Sequence, residues 1–357
     1  MAAVTGIRTR ILSHQRLSKG TFSATHRNAS SWTEAALRKE LTSRRLPLSY
    51  DYLTPLPSHL LTLSLSDFLP DIFQAPKILP SVQQPQHLPP GYHLIYFPPQ
   101  VPPSQLLPDG TDLLHSPGAP FNRRLWAGGN VFFPTPKENL LLNGQRAVCV
   151  EKISDVNVRG AVGDEKVFVT IDRRFSTVQE GEDPEETRNR VLNSREVLTE
   201  QRTLAFLQDR KPEHTNSPNL AGKNSRLVKS PQDPEIRYTI TPTKALLFRF
   251  SALTFNAHRI HLDEAYTREV EGHPGLLFHG PLSLTLLLRV LSSHLERIGR
   301  RIQRIEYRNI APLFVEQELS ICAKVKEPAD STWEAWIEGP HGGLSVRGTV
   351  WTEPLSA

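Results

Sequence analysis

An apolar segment, Pro281 to Leu291, constrains the fold of this chain more than any other part of its 357 residues. Its residues are apolar nearly all the way round a helix, and such a helix in a water-soluble protein has to be buried on most of its surface. The segment is too short to cross a bilayer and contains Arg289. It therefore predicts a helix enclosed by other elements, and no membrane insertion.

Segments with the alternating pattern of half-buried strands lie on both sides of this helix. The first half predicts helices at Trp32–Leu46 and Ser58–Leu69 and strands at His93–Phe97, Leu125–Phe133, Arg146–Ile153, Lys166–Arg173 and Arg195–Phe206. The second half repeats this order loosely, with strands at Ile236–Phe250, Leu319–Val325 and Leu344–Val350. An antiparallel sheet curved around a central helix is the hot-dog architecture. The pattern therefore predicts an α+β double hot-dog fold, in which two such domains pack as a pseudo-dimer.

Composition divides the chain into four parts. Residues 1–31 are basic and serine-containing, with no acidic residue before Glu34, as in mitochondrial transit peptides; a disordered basic tail is the alternative. Residues 208–235 are polar and predict a linker between an N-terminal hot dog at 32–207 and a C-terminal hot dog at 236–357. Much of the net charge of +5 lies near the N-terminus, so the remainder is closer to neutral, and we expect no nucleic-acid partner.

The two cysteines exclude a disulfide framework and every zinc site built on several cysteines. His258 and His261 are three residues apart and could be proposed as metal ligands, but the sequence shows no obvious third ligand. We therefore expect no metal. The chain also has no glycine-rich dinucleotide fingerprint, so we expect neither a nicotinamide nor a flavin cofactor.

Two segments concentrate residues that can carry chemistry. The first, Phe250–His261, holds one asparagine, one arginine and two histidines just before a predicted short helix at Asp263–Val270. The second, Gly272–Leu282, ends in a histidine, a glycine and a proline at the start of the buried helix. Neutral histidine can exchange a proton near pH 7, an asparagine amide can hold a water or hydroxyl, and a helix start offers unpaired N–H groups. These groups suit the hydration of an acyl thioester.

From these properties we assign three catalytic roles. His261 is the predicted acid and base, and Asn256 is predicted to hold the reacting oxygen. The backbone N–H at or near Gly280 is the predicted donor to the thioester carbonyl, because a residue without Cβ permits close approach.

The segment Phe250–His261, with Glu271–Leu276 and His279–Pro281 after it, resembles the active-site region of the MaoC-like hydratase and dehydratase superfamily. More narrowly, it is similar to the type 2 3-hydroxyacyl-thioester dehydratases and to mesaconyl-C4-CoA and itaconyl-CoA hydratases. Pro120–Gly129 resembles the strand that enters the N-terminal hot dog of the same proteins. The resemblance covers most of the chain from about Trp32.

The resemblance implies that the catalytic histidine of the superfamily falls on His261, and that its aspartate, five residues earlier, falls on Asn256. The asparagine usual in the middle of the motif falls on His258. This departure leaves His261 as the one strong acid or base of the pair. The N-terminal hot dog shows no comparable cluster and is expected to be a degenerate copy that shapes an acyl pocket. Predicted substrate-binding residues are His258, Arg259, Arg124 and His279.

The function implied is a mitochondrial (3R)-3-hydroxyacyl-thioester dehydratase of type II fatty-acid synthesis in the matrix. Its substrate would be carried on the phosphopantetheine of acyl carrier protein or CoA. One alternative is a hydratase of the mesaconyl-C4-CoA or itaconyl-CoA type, in which Arg124 or Arg259 would bind the distal carboxylate. Thioester hydrolysis and a noncatalytic thioester-binding scaffold are the others. The sequence leaves open whether two copies pair into a homodimer.

Overall fold

The computed structural model describes residues 33–135, 140–194, 197–209, 228–327 and 331–355. The predicted transit peptide and most of the predicted linker lie outside these residues. The helices are α1 Glu34–Thr42, α2 Pro55–Ser66, α3 Pro184–Asn193, α4 Lys244–Leu253, α5 Glu264–Glu269 and α6 Gly280–Arg297. The strands are β1 Ser49–Tyr52, β2 Arg123–Phe132, β3 Arg146–Arg159, β4 Lys166–Thr177, β5 Leu198–Leu207, β6 Ile236–Ile240, β7 Arg300–Asn309, β8 Leu319–Glu327, β9 Thr332–Glu338 and β10 Leu344–Pro354.

The strands form one ten-stranded sheet in the order β1-β3-β4-β5-β2-β7-β10-β9-β8-β6. Strands β1 to β5 come from the first half of the chain and β6 to β10 from the second, and every pairing is antiparallel. The halves meet where β2 pairs with β7, with Gly128 opposite Arg308. A Cβ on Gly128 would lie 2.4 Å from the Tyr307 carbonyl oxygen, so this junction requires glycine.

Helix α6 is the central element of the C-terminal half, as the apolar segment predicted. Its 18 residues begin at Gly280, and its apolar side chains are buried against β7, β8 and β9. The N-terminal half covers a further side, where the Thr285 hydroxyl donates a hydrogen bond to the Gly91 carbonyl at 3.3 Å. A single hydrophobic core therefore includes α6 and residues from both halves.

The helices predicted near the N-terminus are confirmed as α1 and α2, and the strands predicted at 125–133, 146–153, 166–173 and 319–325 are confirmed as parts of β2, β3, β4 and β8. Two strand predictions are wrong. His93–Phe97 begins inside a 3₁₀ turn, Tyr92–Ile95, which packs against α6. Of Ile236–Phe250, only the start is a strand, because Pro242 interrupts it and Thr243 caps α4 by accepting a bond from the Leu246 N–H.

Candidate active site

The segment that follows α4 turns sharply and carries the predicted catalytic residues. The Asn256 N–H donates to the Ser251 carbonyl at 2.8 Å, which ends the helix. The Asn256 side-chain oxygen then accepts a hydrogen bond from the His258 backbone N–H at 3.0 Å, and a 3₁₀ turn at Arg259–His261 follows. Because its oxygen is used in this turn, Asn256 has its amide NH₂ left to donate, and the residue lines the adjoining cavity.

His261 is held with one defined nitrogen free to act. Its Nδ1 lies 2.8 Å from the Leu277 carbonyl oxygen, and since a carbonyl only accepts, Nδ1 carries the proton. Nε2 therefore keeps its lone pair. Burial lowers the pKa of His261 to about 4, and the charge of Arg124 acts in the same direction. The side chain is neutral at pH 7 and is competent as a base.

His279 lies behind His261 and does not line the cavity. The two rings are stacked with centroids 3.7 Å apart, and His279 Nε2 lies 2.9 Å from the Ser251 hydroxyl. His279 is fully buried, and burial, with the neighbouring His261 and His258, lowers its pKa well below the usual value. The structure therefore places His279 against the predicted base and not in the wall of the cavity.

Gly280 is the first residue of α6 and lines the cavity. A Cβ there would lie 3.1 Å from the Trp126 Cβ and 3.2 Å from the Asn309 amide nitrogen. The glycine thus lets the helix start approach β2 closely. Pro281 has no N–H. The Gly280 N–H belongs to the first helical turn, whose N–H groups have no intrahelical acceptor, so it is the candidate donor to a ligand. The Ser283 N–H is bonded to the His279 carbonyl at 3.0 Å.

His258 is buried at the boundary between the two halves of the chain. Its Nε2 lies 3.5 Å from a carboxylate oxygen of Asp109, which belongs to the N-terminal half. The rings of His258 and His261 meet edge to face with centroids 5.6 Å apart. Burial, followed by the nearby His261 and Arg124, lowers the pKa of His258 well below its usual value. Like His261, it is neutral at pH 7.

The two predicted arginines have different positions. Arg124 lines the cavity and donates from Nη1 to Asp112 at 3.0 Å. Burial alone would raise the pKa of Asp112, but Arg124 and His115 hold it below the usual value. Arg259 does not line the cavity: it pairs with Asp263 at 2.7 Å and lies over the Tyr266 ring. The structure thus brings Arg124, and not Arg259, to the site.

The cavity has a volume of about 890 Å³ and is lined by residues from both halves. The C-terminal half contributes His258, His261 and Asn256 to its wall. Apolar side chains of the N-terminal half that line it include Leu94, Tyr96, Phe97, Trp126 and Leu204. An apolar cavity with a few converging polar groups is the usual form of a small-molecule site.

A family model described as hydroxyacyl-thioester dehydratase type 2 matches residues 91–315, more than half of the chain. The chain belongs to this family. Hydroxyacyl-thioester dehydratase type 2, mitochondrial, from Schizosaccharomyces pombe is 29% identical over 312 residues, covering 85% of this chain and 97% of the relative. Mesaconyl-C(4)-CoA hydratase from Chloroflexus aurantiacus is 30% identical over 279 residues, covering 78% of this chain and 87% of the relative.

Solved structures show the fold of this family member. A MaoC-like dehydratase from Phytophthora capsici superimposes with a TM-score of 0.57 at 12% identity, covering 89% of this chain and 99% of that one. Peroxisomal multifunctional enzyme type 2 from Drosophila melanogaster gives a TM-score of 0.54 at 11% identity, covering 86% of this chain and 48% of that one. The predicted α+β double hot-dog fold of the MaoC-like type is confirmed.

In this member of the hydroxyacyl-thioester dehydratase type 2 family, sequence reasoning missed a buried ion-pair cluster of Glu151, Arg173, Glu200 and Arg202. Arg173 donates to Glu151 at 2.6 Å and to Glu200 at 2.8 Å, and Arg202 donates to Glu200 at 2.9 and 2.8 Å. Three of the four residues line the cavity. A signal was present, because these residues occupy alternate positions on β3, β4 and β5 that otherwise face the core.

Sequence reasoning also missed Asp109. The dipeptide Asp109-Gly110 is typical of a turn, and no local pattern connects it to the histidines.

None of the helices in the described residues is long and apolar enough to cross a membrane. Among the same residues, no three histidine, cysteine or acidic side chains are grouped as a metal site requires.

Proposed function

We propose that this protein catalyses the reversible dehydration of (3R)-3-hydroxyacyl thioesters to trans-2-enoyl thioesters. The observation that carries the proposal is His261, which lines an apolar cavity together with Asn256 and Gly280 at the start of α6, and whose Nε2 is unprotonated because Nδ1 donates to Leu277. One neutral base, one oxygen-binding donor and one helix N-terminus are the groups that this elimination needs.

In the dehydration direction, His261 Nε2 takes the proton from C2 of the acyl chain. The electrons of the C2–H bond move towards the thioester carbonyl, whose developing negative charge is stabilised by N–H groups at the start of α6. The C3–O bond then breaks as the electrons return to form the C2–C3 double bond. The hydroxyl leaves as water with the proton from His261. Asn256 donates a hydrogen bond from Nδ2 to the departing oxygen, because its own oxygen is already used by His258 N–H.

We further propose that the acyl group is carried on the phosphopantetheine of acyl carrier protein or CoA, in the mitochondrial matrix, for type II fatty-acid synthesis. The name of the Schizosaccharomyces pombe relative supports a mitochondrial location, and the apolar cavity supports an alkyl chain. The proposed reaction uses no metal, nicotinamide or flavin, because each proton and charge has a protein group to receive it.

Hydration of a dicarboxylyl thioester is the second candidate, since the Chloroflexus aurantiacus relative is named for mesaconyl-C4-CoA. Arg124, the cavity residue predicted for a distal carboxylate, is paired with Asp112 at 3.0 Å. Arg173 and Arg202 also line the cavity and are paired with Glu200, and Lys166 is a fourth cationic residue of its wall. Arg259 is paired with Asp263 outside the cavity. Because all three arginines of the cavity wall already have a carboxylate partner, these pairings favour an uncharged acyl chain.

The test is a spectroscopic hydration assay of the full chain with crotonyl-CoA and mesaconyl-CoA side by side, followed through the loss of the ultraviolet absorbance of the enoyl thioester. The variant His261→Ala should lower turnover by about 10²- to 10⁴-fold. The matched control is His341→Asn, since His341 is exposed and has a positive φ that asparagine tolerates. Assay of (3R)- and (3S)-3-hydroxybutyryl-CoA in reverse tests the stereochemistry.

Each outcome decides between the candidates. Crotonyl-CoA turnover that disappears in His261→Ala supports the dehydratase. A strong preference for mesaconyl-CoA favours the second candidate. If neither CoA ester nor the corresponding acyl carrier protein esters are turned over, the enzyme proposal is wrong and a noncatalytic thioester-binding scaffold replaces it.

A further inference from the structure

Asp109 is a buried carboxylate of the N-terminal half with one oxygen unsatisfied. Its Oδ1 accepts hydrogen bonds from the Thr111 N–H at 2.9 Å and the Thr111 hydroxyl at 2.7 Å. Its Oδ2 is buried and has no hydrogen-bond partner among the described residues, and the residue is 6% exposed. A buried carboxylate oxygen without a partner costs free energy, so its retention calls for a reason.

That oxygen is directed at the active site by contacts of the backbone. Asp109 Oδ2 lies 3.5 Å from His258 Nε2, and the Asp109 carbonyl accepts a hydrogen bond from the Arg259 N–H at 2.8 Å. Gly110 has φ +86°, and a Cβ there would lie 2.0 Å from the Ala257 carbonyl oxygen. The main chain at Asp109 and Gly110 therefore contacts the segment Asn256–His261 directly. The position of the Asp109 carboxylate does not depend on its side-chain rotamer alone.

The contact bears on which nitrogen of His258 carries the proton, although at 3.5 Å it is longer than a hydrogen bond. His258 is neutral at pH 7 because burial, His261 and Arg124 all lower its pKa. A neutral imidazole has one N–H and one lone pair, and a carboxylate can only accept. A lone pair on Nε2 would face the carboxylate oxygen at 3.5 Å and be repelled by it, so this contact favours the tautomer in which Nε2 carries the proton and Nδ1 keeps a lone pair. His258 lines the cavity, as do Asn256 and His261.

We propose that Asp109 is a positioning residue that fixes His258 in the Nε2–H tautomer, so that His258 Nδ1 accepts a hydrogen bond from the reacting water or departing hydroxyl. This inference rests on the proposed function. It completes the set of partners of the nucleophilic water: His261 Nε2 accepts the proton that is transferred, His258 Nδ1 accepts the other, and Asn256 Nδ2 donates to one lone pair. The second lone pair is left to form the bond to C3.

The variant Asp109→Asn tests this with little change in shape. Because one side-chain oxygen must still accept both bonds from Thr111, the new NH₂ group takes the place of Oδ2 and donates towards His258 Nε2. The tautomer of His258 is then inverted, and Nδ1 becomes a donor. We expect kcat to fall by about 10- to 100-fold, as for partners that orient a functional histidine, with KM changed by less than about twofold.

The matched control is Asp172→Asn, since Asp172 on β4 does not line the cavity and its side chain accepts hydrogen bonds from the side chains of Ser154 and Gln201. It should leave kcat unchanged. The independent readout is the tautomer itself, measured by long-range proton–nitrogen NMR on the full chain labelled at histidine, with His258 assigned through His258→Asn. We expect Nε2–H in the unmodified protein and Nδ1–H in Asp109→Asn.

An Nδ1–H tautomer in the unmodified protein would overturn the proposal even if Asp109→Asn failed to fold. Loss of activity in Asp109→Asn without a change of tautomer would overturn it as well, because Asp109 would then be merely structural. The two proposals fail separately. Absence of thioester turnover in the unmodified protein contradicts the proposed function, whereas the NMR measurement decides the Asp109 contact in either case.

Discussion

The two halves of the molecule each bury a polar cluster, and the clusters differ in whether their charged or ionisable groups have a partner of opposite charge. In the ion-pair cluster of the N-terminal half, each carboxylate has an arginine within 2.9 Å. The histidine cluster of the C-terminal half consists of His258, His261 and His279. Within the described part of the chain, none of its ring nitrogens lies closer to an opposite charge than the 3.5 Å between His258 and Asp109. His279 Nδ1 has no partner among the described residues.

This difference suits the ion-pair cluster to stabilising the fold and the histidine cluster to proton transfer. Paired charges are matched within the protein and have little left to offer a substrate, although Glu151, Arg173 and Arg202 reach the cavity wall. The histidines are kept neutral by burial, which lowers the pKa of each, and they keep lone pairs that a reacting proton can use. Trp126 packs on Gly280, donates to Tyr307 at 2.8 Å and lies beneath Arg202 of the ion-pair cluster.

Breaking the ion-pair cluster should produce the largest loss of stability. Glu200→Gln leaves the guanidinium groups of Arg173 and Arg202 buried with one carboxylate fewer, and we expect the free energy of unfolding to fall by about 3–5 kcal/mol. Urea denaturation measures it. Glu264→Gln, which removes the charge that pairs with Lys244 and Arg268 at the surface, should cost far less than Glu200→Gln, because solvent screens exposed ion pairs. Equal losses in the two variants would contradict the distinction between the clusters.

Acid should destabilise the two clusters in different pH windows. The pKa of His261 is lowered from 6.5 to about 4, so between those values the unfolded chain binds more protons than the native protein. The contribution of neutral His261 to the free energy of unfolding is therefore fully present above about pH 6.5. It is lost as the pH falls towards 4, by about 1.4 kcal/mol per pH unit for each proton. His93 in the N-terminal half, whose burial also lowers its pKa to about 4, adds to this window.

The carboxylate window is lower. Burial opposes ionisation of Glu200, but Arg202 and Arg173 lower its pKa from 4.5 to about 2, so its contribution is present above pH 4.5 and lost as the pH falls towards 2. Urea midpoints measured from pH 7 to pH 3 separate the windows. His261→Gln should flatten the upper one and Glu200→Gln the lower one. If His261→Gln changed only the lower window, the neutral state assigned to the histidine would be wrong.

Local pattern was enough to predict most of the fold. The all-round apolar character of Pro281–Leu291 required an enclosed helix, and α6 is one. Alternation located β4, in which Val167, Val169 and Ile171 are buried between polar neighbours. The turn at Tyr92–Ile95 could not be distinguished from a strand, because its residues are all buried and a short apolar run has no period.

The site was predictable only where it is local. Asn256, His261 and Gly280 belong to two neighbouring segments, and the structure brings all three to one cavity. Asp109 was out of reach because its partner His258 lies in the other half of the chain, and their contact depends on how the halves pack. Arg259 was misleading for the opposite reason: it lies within the motif, but Asp263, four residues later, pairs with it outside the cavity.

The smallest expected effect separates the two arginines. Arg259 pairs with Asp263 on a half-exposed surface and lies over Tyr266, so Arg259→Ala should cost about 1 kcal/mol or less. Its kcat/KM for crotonyl-CoA should stay within about twofold of the unmodified protein, because the side chain does not line the cavity. Arg124→Met is the matched comparison: it leaves Asp112 buried without its cation, and should cost about 3–5 kcal/mol. A large loss of activity in Arg259→Ala alone would mean that the thioester carrier reaches across the surface of α5, outside the cavity described above.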